Sequence, residues 1–136
     1  MRSAQDYQRQ LHNYDLNVSI GSVSEAKAMI KQLSQAQKEL RLVKKEIAQD
    51  VKMIRSEYSQ RMAGAAVVSS GVLTLFGQRK AAGSVRAGEK RRLKSEQDAR
   101  IQPYQNVSLA IDRMINDMDK SKISLERFVV EQNGNG

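Results

Sequence analysis

The side chains that ordinarily carry chemistry are few in this sequence, and their spacing is poor for it. There is one histidine, His12, and there is no cysteine. A metal site needs several nitrogen, sulfur or carboxylate ligands converging, and His12 stands in a polar segment without a second histidine or a thiol. It reads as a solvated imidazole. Asp112, Asp117 and Asp119 gather around Asn116. They lack the glycine and distal glutamate of a calcium loop, and they fall within an apolar helical periodicity, so they read as a solvated helix face. Nothing around them predicts the burial that would tune a carboxylate for acid–base work.

The run Gly83-Ser84-Val85-Arg86-Ala87-Gly88-Glu89-Lys90 echoes a phosphate-binding loop. That motif works because backbone N–H groups between a strand and a helix cradle phosphate, with a hydroxyl residue after the lysine. Here an extra residue precedes the lysine, Arg91 follows it and no strand leads in. A Ser-His-Asp set, a Cys-His pair and a dinucleotide fingerprint are all missing. The sequence therefore predicts a non-enzyme, with no catalytic residues, no metal, no cofactor and no small-molecule substrate.

What the residues do specify is helix. Aromatic content is 4% and tryptophan is absent, so core volume must come from Leu, Ile, Val, Met and Ala. With abundant Gln, Lys, Arg and Glu, that is the composition of long helices. Ser22-Val23-Ser24-Glu25 fits a capping box opening the first of them. An apolar seam follows at Leu33, Ala36, Leu40, Val43, Ile47, Val51, Ile54, Tyr58 and Met62, in steps of three and four. A second seam runs through Tyr104, Val107, Ile111, Met114, Met118, Ser121, Leu125 and Phe128, and Pro103 either opens that segment or kinks a longer helix. Gly77, Gly83 and Gly88 mark the turn between the two.

The expected fold is all-α: a long antiparallel coiled-coil helical hairpin over residues 22–132, assembling into a higher-order helical bundle. The seams align with Leu33 opposite Phe128, Ala36 opposite Leu125, Leu40 opposite Ser121, Val43 opposite Met118 and Ile47 opposite Met114. That register centres the turn between Lys80 and Ala81. The alternative is a three-helix bundle, broken near Gly64 and Pro103. Residues 1–21 read as an N-terminal arm, with Tyr7, Leu11 and Tyr14 on one helical face and an alternating, extended stretch at Leu16, Val18 and Ile20. Residues 133–136 read as a disordered tail.

The hairpin tip, residues 62–94, is where a partner is expected. From Met62 to Gln78 no residue is charged. Val67, Val68, Val72, Leu73, Leu75 and Phe76 would be apolar on every side of a helix, which normally requires cover on every side. Immediately beyond come Arg79, Lys80, Arg86, Lys90, Arg91, Arg92 and Lys94, against Glu89 alone. Of the net charge of +8, the excess lies in this middle part of the chain.

Three partners fit such a tip. The leading expectation is a second copy of the chain, making a self-associating structural scaffold or adaptor, with Ile30, Leu42, Met53, Ile115, Ile123 and Val129 as further apolar residues left wet by a lone hairpin. The first alternative is peripheral binding to an anionic membrane, apolar side chains dipping in and basic ones meeting headgroups. The second is non-specific nucleic-acid binding, which the absence of interleaved aromatics weakens. The polar start of the chain, Met1 to Gln10, has no apolar core of a secretory signal. Cytoplasmic residence is expected, with membrane association if the tip meets lipid.

Overall fold

Two serines set the starts of the first two helices. In the computed structural model, which describes residues 1–14, 21–75 and 79–134 (side chains outside 64–86 and 134), Ser3 closes a full capping box. Its Oγ accepts from the Asp6 N–H at 3.1 Å and the Asp6 carboxylate accepts from the Ser3 N–H at 3.3 Å. These bonds hold the Asp6 carboxyl below its ordinary range, the Ser3 hydroxyl contributing most. They open α1 (Ala4–Leu11), which tightens into a 3₁₀ turn at His12–Tyr14. Ser22 then opens α2 (Val23–Leu75), its Oγ accepting from the Glu25 N–H at 3.1 Å. The Glu25 carboxylate reaches back one residue further than a standard box, to the Gly21 N–H at 2.8 Å. The third helix is α3 (Arg79–Gly134).

The architecture is an all-α helical hairpin of α2 and α3. The three-helix alternative is overturned: α2 passes through Gly64 and α3 passes through Pro103 without a break. Pro103 is exposed, so its missing N–H and its ring cost one helical bond on the solvent side without disturbing the core. The turn also differs from expectation. Only residues 76–78 separate the two helices, and Gly83 and Gly88 are helical. A glycine lowers helix stability without forbidding helix, and Ala81, Ala82, Ala87, Glu89 and the lysines and arginines around them are good formers. The tail residues Asn133 and Gly134 also belong to α3. The extended stretch expected at Leu16, Val18 and Ile20 lies outside the described residues.

Gly88 offers a direct test of this helix start. A Cβ built there meets nothing within 4 Å. Gly88→Ala should therefore raise stability by up to about 1 kcal/mol, read from urea unfolding. A loss of stability would mean that residue 88 is a turn residue after all.

The chain divides into two compact units, Met1–Ile47 with Gln105–Gly136, and Ala48–Tyr104. In the first unit, Leu33, Leu40 and Ile47 are buried at seven-residue spacing on α2, with Ala36 and Val43 between them. From α3 come Val107, Ile111, Met118 and Leu125, while Met114, Ser121 and Phe128 are only half-buried. The expected arm is in fact a third packed helix in this unit. Tyr7 and Leu11 are 2% and 7% exposed. Arg2 Nη1 meets Glu46 Oε2 at 3.4 Å, and the Tyr14 hydroxyl bonds to Glu39, so α1 runs antiparallel to α2.

The register in this unit also departs from the seam alignment. Lys44 Nζ meets Asp112 Oδ1 at 2.6 Å and Gln37 Nε2 donates to Asp119 Oδ1 at 2.7 Å. The aligned seams would place both partners about five residues later on α3, more than one turn of helix. Side chains lean toward their own N-termini, which in an antiparallel pair widens this difference. Burial of apolar seams is satisfied at several registers, and the observed one also satisfies these directional polar groups.

In the second unit, Ile54 and Tyr58 of α2 and Leu93, Ile101 and Tyr104 of α3 form the described core. Arg100 ties the two helices, its Nη1 donating to Glu57 Oε2 at 3.2 Å and its guanidinium bonding to the Tyr58 hydroxyl. Arg61 holds the other Glu57 oxygen at 2.8 Å and lies 5.0 Å from the Tyr58 ring centre. Tyr58 is thus bracketed by two cations and fixed in orientation.

Candidate interaction surfaces

Leu93 anchors the first surface. It is 6% exposed, and turning it into the second unit's core forces its neighbours outward. Lys90, Arg91, Arg92 and Lys94 are all exposed. Glu89 offsets part of this charge, its Oε2 lying 2.9 Å from Arg92 Nη2, but the Arg92 side chain remains 63% exposed and such pairs are worth little. The charge is uneven between units. The second holds eleven basic and five acidic residues, the first twelve and ten. Arg79, Lys80 and Arg86 belong to α3 by backbone, and their side chains lie outside those described. The same holds on α2 for Val67, Val68, Val72, Leu73 and Leu75, and Phe76 lies outside the described residues.

The second surface is apolar and belongs to the first unit. Leu42, Leu109, Ile123 and Val130 are exposed by 59%, 55%, 50% and 69%. Ile123 and Val130 stand seven residues apart on one face of α3 and, with Glu126, Arg127 and Glu131, line a shallow cleft of about 290 Å³. Of the six residues expected to be wet, Leu42 and Ile123 are exposed here and Met53 is exposed in the second unit. Ile30, Ile115 and Val129 are half-buried. Leu109 and Val130 were not foreseen. Both could have been found by position, since Leu109 falls between the seam residues Val107 and Ile111, and Val130 two places past Phe128.

A buried polar layer crosses the first unit's core. Gln37 is 2% exposed, and its side chain is fully engaged. Its amide nitrogen donates to the Ile115 carbonyl at 3.0 Å and to Asp119 Oδ1, and its oxygen accepts from Lys122 Nζ at 3.2 Å. Two of the three clustered aspartates are thereby explained differently from a solvated face. Asp112 pairs with Lys44 and is half-buried, Asp119 holds Gln37, and only Asp117 simply faces solvent. Apolar periodicity carries no strong sign of this layer, because Ala36 beside Gln37 fits the apolar seam.

His12 is exposed in the 3₁₀ turn. No group of three or more His, Cys, Asp or Glu side chains converges among the described residues. The run from Gly83 to Lys90 is helix, so its amides belong to helical bonds and do not form a phosphate cradle. Beside Tyr14, a cleft of about 510 Å³ is lined by Asn13, Lys31, Gln32, Gln35, Ala36 and Glu39. Burial pushes the Tyr14 hydroxyl above its ordinary range, and Glu39 and Glu46 add to the rise. Among the described residues no helix is long and apolar enough to cross a membrane. No known protein family, curated protein or solved structure matches this chain.

Proposed function

We propose that the chain is a non-enzymatic helical interaction protein, a scaffold or adaptor that self-associates through apolar helix faces in a coiled-coil assembly. The observation that carries this is the pair Ile123 and Val130, exposed on one face of α3 and lining a common cleft. A single exposed apolar residue is ordinary. Two on one face, with Leu42 and Leu109 exposed in the same unit, favour a surface that other helices cover.

Light scattering of the purified chain should give an oligomer, and Ile123→Glu with Val130→Glu should dissociate it while leaving the far-ultraviolet helix signal intact. Each forgone burial is worth at least about 1.5 kcal/mol, so the double variant should weaken association on the order of a hundredfold. A monodisperse monomer at tens of micromolar, roughly the range in which weak assemblies form, would end the proposal.

A further inference from the structure

We infer that the exposed basic face of the second unit docks on an anionic lipid surface, with Lys90, Arg91, Arg92 and Lys94 meeting the headgroups. This is independent of self-association and goes beyond it. The four side chains surround the buried Leu93, and all are exposed. A face that serves only solubility mixes signs, as the first unit's nearly balanced charges do. In the second unit basic residues outnumber acidic ones eleven to five; Glu89 pairs with Arg92, whose side chain stays 63% exposed, and Glu96 and Asp98 follow on the same helix without cancelling the excess.

Lipid is favoured over nucleic acid by what accompanies the charge. The same unit contains the uncharged run from Met62 to Gln78, rich in Val, Leu and Ala. A lipid surface offers a place for both kinds of group, anionic headgroups for the cations and the acyl boundary for the apolar side chains. Nucleic acid would use the cations alone, and no aromatic is interleaved among them on which a base could stack. The run is 17 residues long and holds Ser69, Ser70, Thr74 and three glycines, which suits contact with a leaflet and is short for crossing one.

The full chain would be sedimented with vesicles of equal parts phosphatidylserine and phosphatidylcholine, with vesicles of phosphatidylcholine alone, and titrated into duplex DNA at matched phosphate. Binding to the anionic vesicles only is expected, and it should fall as salt rises. Lys90→Gln, Arg91→Gln, Arg92→Gln and Lys94→Gln together should weaken it by about 600-fold, since each surface cation contributes roughly a factor of five. Should that variant lose helicity, Arg91→Gln with Lys94→Gln repeats the test at about tenfold or more. Removing four exposed cations of the first unit, Lys31, Lys38, Arg41 and Lys45, should change binding only a few-fold. Any of three results overturns the inference: no binding to anionic vesicles, tighter binding to DNA than to vesicles, or an equal loss in the first-unit control.

Discussion

Tyr7→Ala should release α1 from the first unit and lower its stability there by about 3–4 kcal/mol. The figure follows from truncating a large, fully buried aromatic, which in protein cores typically costs that much. Tyr7 is 2% exposed, and the Arg2 guanidinium stands 4.6 Å from its ring centre, so the truncation removes both burial and a cation contact. α1 has eight residues, too few to persist unsupported. Its capping box and the exposed Arg2–Glu46 pair contribute tenths of a kcal/mol to about one, not enough to hold it once Tyr7 is gone.

The loss is therefore local. Amides of α1 should exchange nearly freely in the variant, while those around Ile111 and Leu125, which are 0% exposed, keep most of their protection. Equal loss around Leu125 would make α1 part of one cooperative core. Unchanged exchange in α1 would mean that Leu11, 7% exposed, suffices to dock it.

The reading of residues 1–21 as an arm shows where sequence reasoning stops. The shared face of Tyr7, Leu11 and Tyr14 was legible because it has helical period, and α1 follows it. That this face is buried was not, because a three-residue stripe does not say what it packs against. The long helices were legible for the opposite reason, with many seam positions agreeing over tens of residues. Their register was not: apolar burial is non-directional, and two seams of similar period match at more than one offset. The observed register is the one that brings Gln37 to Asp119 and Lys44 to Asp112, pairings that depend on geometry across the interface. Glycine misled in the same way. At Gly83 and Gly88 a local preference for turn gives way to helix formers on either side. The basic face could be read directly from composition, since four cations around one leucine on a helix leave them little choice but solvent.

Gln37 gives the second large effect, and its two substitutions should separate stability from register. Gln37→Ala deletes the bonds to the Ile115 carbonyl, Asp119 and Lys122 and leaves a cavity at a site only 2% exposed. The stranded partners are not severely penalised. The Ile115 carbonyl lies within α3, where helical bonding remains available to it, Asp119 is exposed, and Lys122 is half-buried. The cost is then mainly the cavity and the net value of the lost bonds, about 2–3 kcal/mol in urea unfolding.

Gln37→Leu fills the same space with carbon, and replacing a buried polar group by a well-packed apolar one is commonly neutral to within about 1 kcal/mol. Its cost should appear elsewhere. Without a directional bond from α2 to α3 at this level, the apolar seams can also pair near the offset that places Val43 opposite Met118, and Lys44–Asp112 is a half-exposed pair too weak to forbid it. The wild-type chain should show one set of amide resonances for Ile111 to Leu125, and the leucine variant more than one at similar overall stability. A single wild-type-like set in the leucine variant would show that packing alone fixes the register. A loss in that variant as large as in Gln37→Ala would show instead that the hydrogen bonds contribute mainly to stability.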